Sequence, residues 1–300
     1  MKILILGITG MLGHMAYRVL SEHHEVYGTC RDSYDNTFII HEIVPRQNCF
    51  EQLDILETSS LVKLLQELRP QVIINAIGIV KQKKEAKDPI PSIKVNALFP
   101  HEVAQLADEM GAKLIQISTD CVFSGHQGMY TEDSPEDPVD IYGRSKLLGE
   151  VRRTPHLTLR TSIIGRQLQG HSSLIEWFIA QKDSRIKGFK YAIYSGLTTQ
   201  ALCHIIAQIL EKNFSLSGRY HVASEPISKY DLLTRLNQMM QLNINISPEV
   251  EFRCDRSLDG QRFTSETGLT IPSWEMMLSQ LVSDAPSYEI WRPQKSDNIH

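Results

Sequence analysis

Lys2-Ile3-Leu4-Ile5-Leu6 runs without a break into Gly7-Ile8-Thr9-Gly10-Met11-Leu12-Gly13, and this dozen residues decides the fold. A short, continuously apolar run suits a parallel strand buried on both faces. The glycines behind it permit a tight turn and bring backbone amides close to a diphosphate. A helix over roughly Met11 to Glu22 would then aim its N-terminal amides and positive dipole end at that anion. The spacing is Gly-x-x-Gly-x-x-Gly, which differs from the Gly-x-Gly-x-x-Gly dinucleotide fingerprint. A glycine turn serving only packing is the alternative.

Moving outward, apolar strands alternate with helical patterns. Strands are expected at Glu25 to Cys30, Asn48 to Leu53, Val72 to Asn75, Ala112 to Ile117 and Leu157 to Leu159, with helices at Ser59 to Leu68 and Ser92 to Met110. The alternation predicts an α/β fold with a doubly wound, mostly parallel Rossmann sheet. No long apolar helix is evident between Arg31 and Asn48, so the second crossover is expected to be irregular, with Thr37 to Ile40 a candidate strand. Beyond about Gly165 the pattern changes. Helices are expected at Ser172 to Lys182, Thr198 to Lys212 and Lys229 to Gln238, and an extended segment at Gly218 to Ala223.

Two further segments carry chemistry. Leu114-Ile115-Gln116-Ile117-Ser118-Thr119-Asp120 is an apolar strand ending in hydroxyls, and catalytic groups in open α/β sheets gather at the carboxyl ends of strands. Thr119 could hydrogen-bond a carbonyl there; a turn or cap hydroxyl is the plainer reading. Tyr142-Gly143-Arg144-Ser145-Lys146 sets a phenol and an ammonium four positions apart, on one face of an expected helix. A cation beside a phenol favours phenolate and lowers its pKa, so Tyr142 is expected to titrate below its usual range.

In this order these segments resemble the extended short-chain dehydrogenase/reductase superfamily, and within it the reductases of nucleotide-linked 4-keto-6-deoxy sugars, the dTDP-4-dehydrorhamnose reductase type. Val95-Asn96-Ala97, Ser118 to Gly125, Gly149-Glu150, Leu159-Arg160-Thr161-Ser162, Arg292-Pro293 and Ser296 extend the resemblance along nearly the whole chain. It implies a cofactor domain over residues 1–164, to which part of about 190–223 returns, and a smaller C-terminal substrate-binding lobe over 165–300. It also implies that Thr119, Tyr142 and Lys146 are catalytic: Tyr142 gives a proton to the C4 oxygen, Lys146 stabilises the phenolate and binds the nicotinamide ribose, and Thr119 orients the carbonyl.

The cofactor set expected on this basis is Gly7, Thr9, Gly10, Met11, Leu12, Gly13, Arg31, Asp54, Ile55, Asn75, Ala76, Gly78, Ser118, Tyr142 and Lys146. Gly28-Thr29-Cys30-Arg31 places an arginine where an NAD site commonly carries a carboxylate, so NADP(H) is expected, with Arg31 pairing the 2′-phosphate. Neighbouring Asp32 leaves NAD(H) as the alternative. Asp54 could instead cap a turn, and Gly78 could simply permit a bend. For the substrate, Asp120 and Cys121 follow Thr119, and Arg253, Arg256 and Arg262 compete with Lys81, Lys83, Lys84 and Lys87 as diphosphate ligands.

A 4,6-dehydratase would carry an Asp-Glu pair where this chain has Asp120-Cys121, so that reaction is not expected. An epimerase uses the same Tyr-Lys pair and stays open, as does a regulatory role like that of the methionine adenosyltransferase regulatory subunit. The composition agrees with an ordinary globular protein: 42% hydrophobic and 22% charged residues, with a net charge of 31 minus 35, or −4, that gives no basic field for nucleic acid. The five cysteines show no Cys-x-x-Cys spacing, so they are read as reduced, with neither disulfides nor a metal site expected. No run of eighteen apolar residues suggests a membrane span, and a cytoplasmic location, with a homodimer as one possible assembly, is expected.

Overall fold

The structure, a computed structural model, describes residues 1–36, 42–80, 87–170 and 173–291. The elements run β1 (Lys2–Leu6), α1 (Met11–Leu20), β2 (Glu25–Thr29), β3 (Cys49–Phe50), α2 (Thr58–Leu68), β4 (Val72–Asn75), α3 (Pro89–Ser92), α4 (Phe99–Met110), β5 (Lys113–Thr119), α5 (Ile141–Leu148), β6 (Leu157–Thr161) and β7 (Ile163–Ile164). They continue with α6 (Leu174–Ile179), β8 (Arg185–Tyr194), β9 (Leu197–Thr198), α7 (Thr199–Lys212), β10 (Gly218–His221), β11 (Ile227–Ser228), α8 (Lys229–Met240), β12 (Asn245–Asp255), α9 (Gln261–Thr267), α10 (Trp274–Ser283) and α11 (Ala285–Trp291).

Seven parallel strands form the central sheet in the order β10-β6-β5-β4-β1-β2-β3. Side chains of a strand alternate between the two faces, and the sheet is apolar on both. On β1, Ile3 and Ile5 join the core beneath α1 and α7, while Leu4 and Leu6 join the one beneath α2 and α4. β5 repeats this with Ile115 and Ile117 on the first face and Leu114 on the second. This two-sided burial is what the unbroken apolar runs in the sequence encode. A smaller sheet, β11-β8-β12, lies in the second half of the chain, with β12 parallel and β11 antiparallel to β8.

Several expectations are corrected. The third strand is reduced to Cys49–Phe50, because Asn48 lies in a 3₁₀ turn over Arg46–Asn48 and Gln52 adopts φ +55°. The helix expected over Ser92 to Met110 is three segments, α3, a π-helical stretch over Ile93–Leu98 and α4. The crossover after β2 is irregular, with a 3₁₀ turn at Tyr34–Asn36; Thr37 to Ile40 lie outside the described residues. So do Lys81, Lys83, Lys84, Ser172, Arg292, Pro293 and Ser296. The long pairing of β8 with β12 was not read from sequence, although Ile246, Val250, Phe252 and Cys254 alternate with polar residues along this mostly exposed strand. Among the described residues, no helix is long and apolar enough to cross a membrane.

The turn after β1 shows why glycine is required. Gly7 sits at φ +83°, and a Cβ on Gly13 would lie 2.1 Å from the Gly7 carbonyl oxygen and 2.8 Å from Ile8 Cα. Both neighbours are backbone and cannot swing aside. Gly13→Ala is therefore expected to destabilise the fold by about 1–3 kcal/mol, read as a lower urea midpoint at unchanged slope.

Candidate active site

α5 is set against the end of β5 by backbone contact. Asp140 caps the helix by accepting from Gly143 N at 2.8 Å, and a Cβ on Gly143 would stand 2.2 Å from the Cys121 carbonyl oxygen. Only glycine lets the helix come so close. Asn96, in the π-helical stretch, fixes the other flank: its amide exchanges hydrogen bonds with Ile79 N and O at 2.9 and 3.0 Å and donates to Ser145 Oγ at 3.3 Å. Insertions of this kind in helices recur at functional sites. The sequence showed Asn96 only as part of a motif, and the π geometry that gives it work was not legible.

This seat pairs the Tyr142 hydroxyl with Thr119 and carries Lys146 one turn further along the same helix. The Lys146 ammonium is buried and donates to the Ile117 carbonyl at 2.6 Å, while Thr119 Oγ1 accepts from Cys121 N and donates to Asp120 Oδ1, both at 3.1 Å. Burial lowers the Lys146 pKa to about 8, against a weaker opposing pull from Glu150. Burial also raises the Tyr142 pKa above its usual range; Cys121, Asp120 and Asp140 add to the rise, and the Thr119 hydrogen bond opposes it. This corrects the expected depression. Desolvation outweighs any help from Lys146, whose hydrogen bond runs to backbone.

Beneath these groups lies a buried ion cluster that the sequence reading missed. Arg160 Nε and Nη2 donate to the two Glu150 oxygens at 2.6 and 2.8 Å, and both side chains are fully buried. Burial pushes the Glu150 carboxyl up, but Arg160 more than offsets this and holds it below the usual carboxylate range. Ser118, on the opposite face of β5 from Thr119, donates to Glu150 Oε1 at 2.8 Å. Its hydroxyl thus belongs to this cluster. Leu159-Arg160 and Gly149-Glu150 had been visible only as motif letters.

The residues of the first turn fit a dinucleotide diphosphate. α1 follows Gly10 with no side-chain cap and no acidic residue in its first turn, and the turn around Thr9 is drawn tight, since a Cβ on Gly7 would meet Ile77 Cγ1 at 2.7 Å and one on Gly10 or Gly13 the Gly7 carbonyl oxygen at 3.3 or 2.1 Å; Met11 and Leu12 open the helix. Gly7 N is held by Thr29 Oγ1 at 3.2 Å. Arg31 is exposed directly after β2. Asp54 Oδ1 accepts from Leu56 N at 3.0 Å, a turn-capping role, with Ile55 half-buried beside it. Asn75 donates to Gln116 at 2.8 Å and accepts from Ile77 N, which shapes the turn through Ala76 and Gly78.

The arginines separate. Arg256 stands at the turn after β5, donating to the Phe123 carbonyl at 2.9 Å and the Ser124 carbonyl at 3.3 Å, with Nη1 3.8 Å from Cys121 Sγ. Arg253 instead lies on the Tyr191 ring at 4.1 Å, and Arg262 pairs with Glu266 at 3.1 Å over the Tyr220 ring. Those two guanidinium groups are exposed and rest on aromatic faces, that of Arg262 also beside a carboxylate. Lys87 is exposed.

A family profile described as the RmlD substrate binding domain matches residues 1–285. The chain is 29% identical over 231 residues to a probable low-salt glycan biosynthesis reductase of Haloferax volcanii, covering 74% of each. It is 24% identical to the dTDP-4-dehydrorhamnose reductase of Escherichia coli K12, covering 95% of this chain and 98% of that one. Its match to methionine adenosyltransferase 2 subunit beta of Xenopus tropicalis is 32% identical but spans 50% of this chain and only 41% of that subunit. Among solved structures, a hypothetical dTDP-4-dehydrorhamnose reductase from Sulfolobus tokodaii superposes with a TM-score of 0.76 at 27% identity, covering 92% and 98% of the two chains. The Bacillus anthracis dTDP-4-dehydrorhamnose reductase in complex with NADP gives 0.78 at 24% identity, covering 94% and 99%.

The Lys146 amine should titrate near pH 8 in the ligand-free protein, by NMR of the isotopically labelled side chain. Because its folded pKa lies below the ordinary 10.5, its protonated form opposes folding below pH 8, and that penalty fades between 8 and 10.5. A titration at the ordinary lysine value would mean that the group is solvated.

Proposed function

The chain belongs to the RmlD substrate-binding domain family, of the extended short-chain dehydrogenase/reductase type, and from that premise we propose that it reduces the C4 carbonyl of a nucleotide-linked 4-keto-6-deoxy sugar with NADPH. The observation that carries this reading is the seating of the Tyr142 and Lys146 helix on the strand end that bears Thr119. The Bacillus anthracis relative in complex with NADP supports the cofactor, and the dTDP-4-dehydrorhamnose reductases among the relatives support the substrate class. Cytoplasmic deoxysugar or surface polysaccharide biosynthesis is the setting proposed for it.

Residues Gly7 to Gly13 would hold the diphosphate of the dinucleotide, Arg31 its 2′-phosphate, and Asp54, Ile55 and the Asn75 to Gly78 turn its remaining parts. When bound, the dihydronicotinamide supplies hydride chemistry. The chain's own residues handle the oxygen. Thr119 Oγ1, turning from Asp120 the proton it donates there in the ligand-free protein, donates a hydrogen bond where negative charge grows, and Tyr142 gives up its proton to that oxygen. A phenol with a raised pKa suits this work, since it is fully protonated at neutral pH and ready to donate. Lys146, largely cationic at pH 7, then stabilises the phenolate left behind. Arg256 beside Cys121 and Asp120 is the proposed anchor for the negative part of the substrate.

The direct test is NADPH oxidation with dTDP-, UDP-, GDP- and CDP-linked 4-keto-6-deoxy sugars. Net cofactor consumption supports a reductase over an epimerase, which returns its hydride to the sugar. A protein that binds NADPH, reduces none of the panel and grips another protein would be a regulator, as the partial likeness to the methionine adenosyltransferase subunit allows. Tyr142→Phe should lower kcat by roughly a hundredfold or more with cofactor affinity little changed; unaltered turnover removes Tyr142 from the chemistry. Arg31→Ala should lower kcat/KM for NADPH while sparing NADH, and an equal loss with both would refute its phosphate role.

A further inference from the structure

Tyr194, the last residue of β8, carries a buried hydroxyl with no hydrogen-bond partner among the described residues. The ring is held on two sides. Its edge lies against Gly196, where a Cβ would stand 2.8 Å from Cε2, and its centroid is 5.5 Å from that of Trp274. Trp274 is itself fixed by donating to the Glu225 carbonyl at 2.7 Å. The hydroxyl therefore has no easy swing toward bulk water, and a buried polar group left unpaired is costly.

Its position ties it to the site. Arg256 N donates to the carbonyl of Ile193, the residue before Tyr194, at 2.9 Å, and the Arg256 guanidinium holds the Phe123 and Ser124 carbonyls. The end of β8 thus stands beside the turn that begins at Thr119. Asp120, which accepts the Thr119 hydroxyl proton at 3.1 Å, is near enough for its charge to act on Tyr194; burial, then Asp120, hold this phenol well above its ordinary pKa. Tyr194 is accordingly a neutral hydroxyl, able to donate one hydrogen bond and accept another.

We propose that Tyr194 is a specificity-determining residue whose hydroxyl pairs with a ring hydroxyl of the sugar being reduced. The inference rests on the reductase reading above. A site with a buried hydrogen-bonding group favours the sugar that satisfies it and rejects the analogue that leaves it unpaired. On the reductase reading, Tyr142 and Thr119 recognise the carbonyl common to all 4-keto sugars, so discrimination among them must come from other polar groups near the Thr119 turn, of which Tyr194 is one.

The test is Tyr194→Phe, which removes one oxygen and keeps the ring. It is assayed with whichever sugar nucleotide of the panel the wild-type protein reduces fastest, and with the 2-deoxy and 3-deoxy counterparts of that compound. KM should rise about ten- to a hundredfold, kcat should stay within about twofold, and the thermal midpoint should be unchanged or higher, since an unpaired buried hydroxyl has been deleted. The deoxy substrate that suffers with wild type should show no further loss with the variant. Unchanged KM overturns the proposal, and unchanged KM with a lowered thermal midpoint assigns the hydroxyl to an internal water. If wild type reduces no member of the panel, the reductase reading itself fails and the proposal with it. Turnover by wild type with an unaffected variant sinks the Tyr194 assignment alone.

Discussion

The close approach of α5 to the end of β5 is the constraint on which the site depends. Gly143 rests on the Cys121 carbonyl, Lys146 reaches the Ile117 carbonyl, and Ser118 joins Glu150 just past the helix. Asn96 pins Ser145 from the far side. These ties, spread from Gly143 to Glu150, leave the helix no room to slide, so the Tyr142 and Thr119 hydroxyls are placed by backbone and not by flexible side chains. Positioning of this kind is the larger part of what a protein contributes when a cofactor carries the reactive atom.

Burial, more than pairwise charge, sets the electrostatics. Lys146 is pushed down to about 8 and Tyr142 up, both chiefly by desolvation, so burial shifts each toward its neutral form while Lys146 stays largely cationic at pH 7. The Glu150–Arg160 pair beneath them is fully buried, and such pairs are weak evidence for net stability because desolvation offsets much of their attraction. Its clearer consequence is local. A carboxylate held ionised by Arg160 provides a charge that raises Lys146 toward the cationic form, and removing Arg160 would leave that buried charge to Arg152 at 3.0 Å and Arg219 at 3.6 Å.

The sheet was legible in the sequence because strands buried on both faces read as unbroken apolar runs, and Leu114 to Ile117 or Ile3 to Leu6 have no other plausible home. The glycine turn was legible for a similar reason: Gly13 packs on backbone that no side chain could share. Thr119, Tyr142 and Lys146 were singled out by spacing along one helix and one strand end. What could not be read depends on distance across the chain. Arg160 and Glu150 are ordinary surface letters until burial makes them a pair, Asn96 acquires its role from a π-helical turn, and Tyr194 matters only because its hydroxyl is left unmatched. The Tyr142 pKa was misjudged by weighing a neighbouring cation without the burial that accompanies it.

The central claim is that the first turn and the end of β5 act on one bound pair, dinucleotide and keto sugar. Transfer of label tests it most directly: NADPH deuterated at nicotinamide C4 is mixed with the keto sugar nucleotide, and the product is examined by NMR and mass spectrometry. The account predicts one deuterium, from one face of the nicotinamide only, at C4 of the reduced sugar. Label that stays on the cofactor while both compounds bind, or that reaches any other carbon, would contradict it.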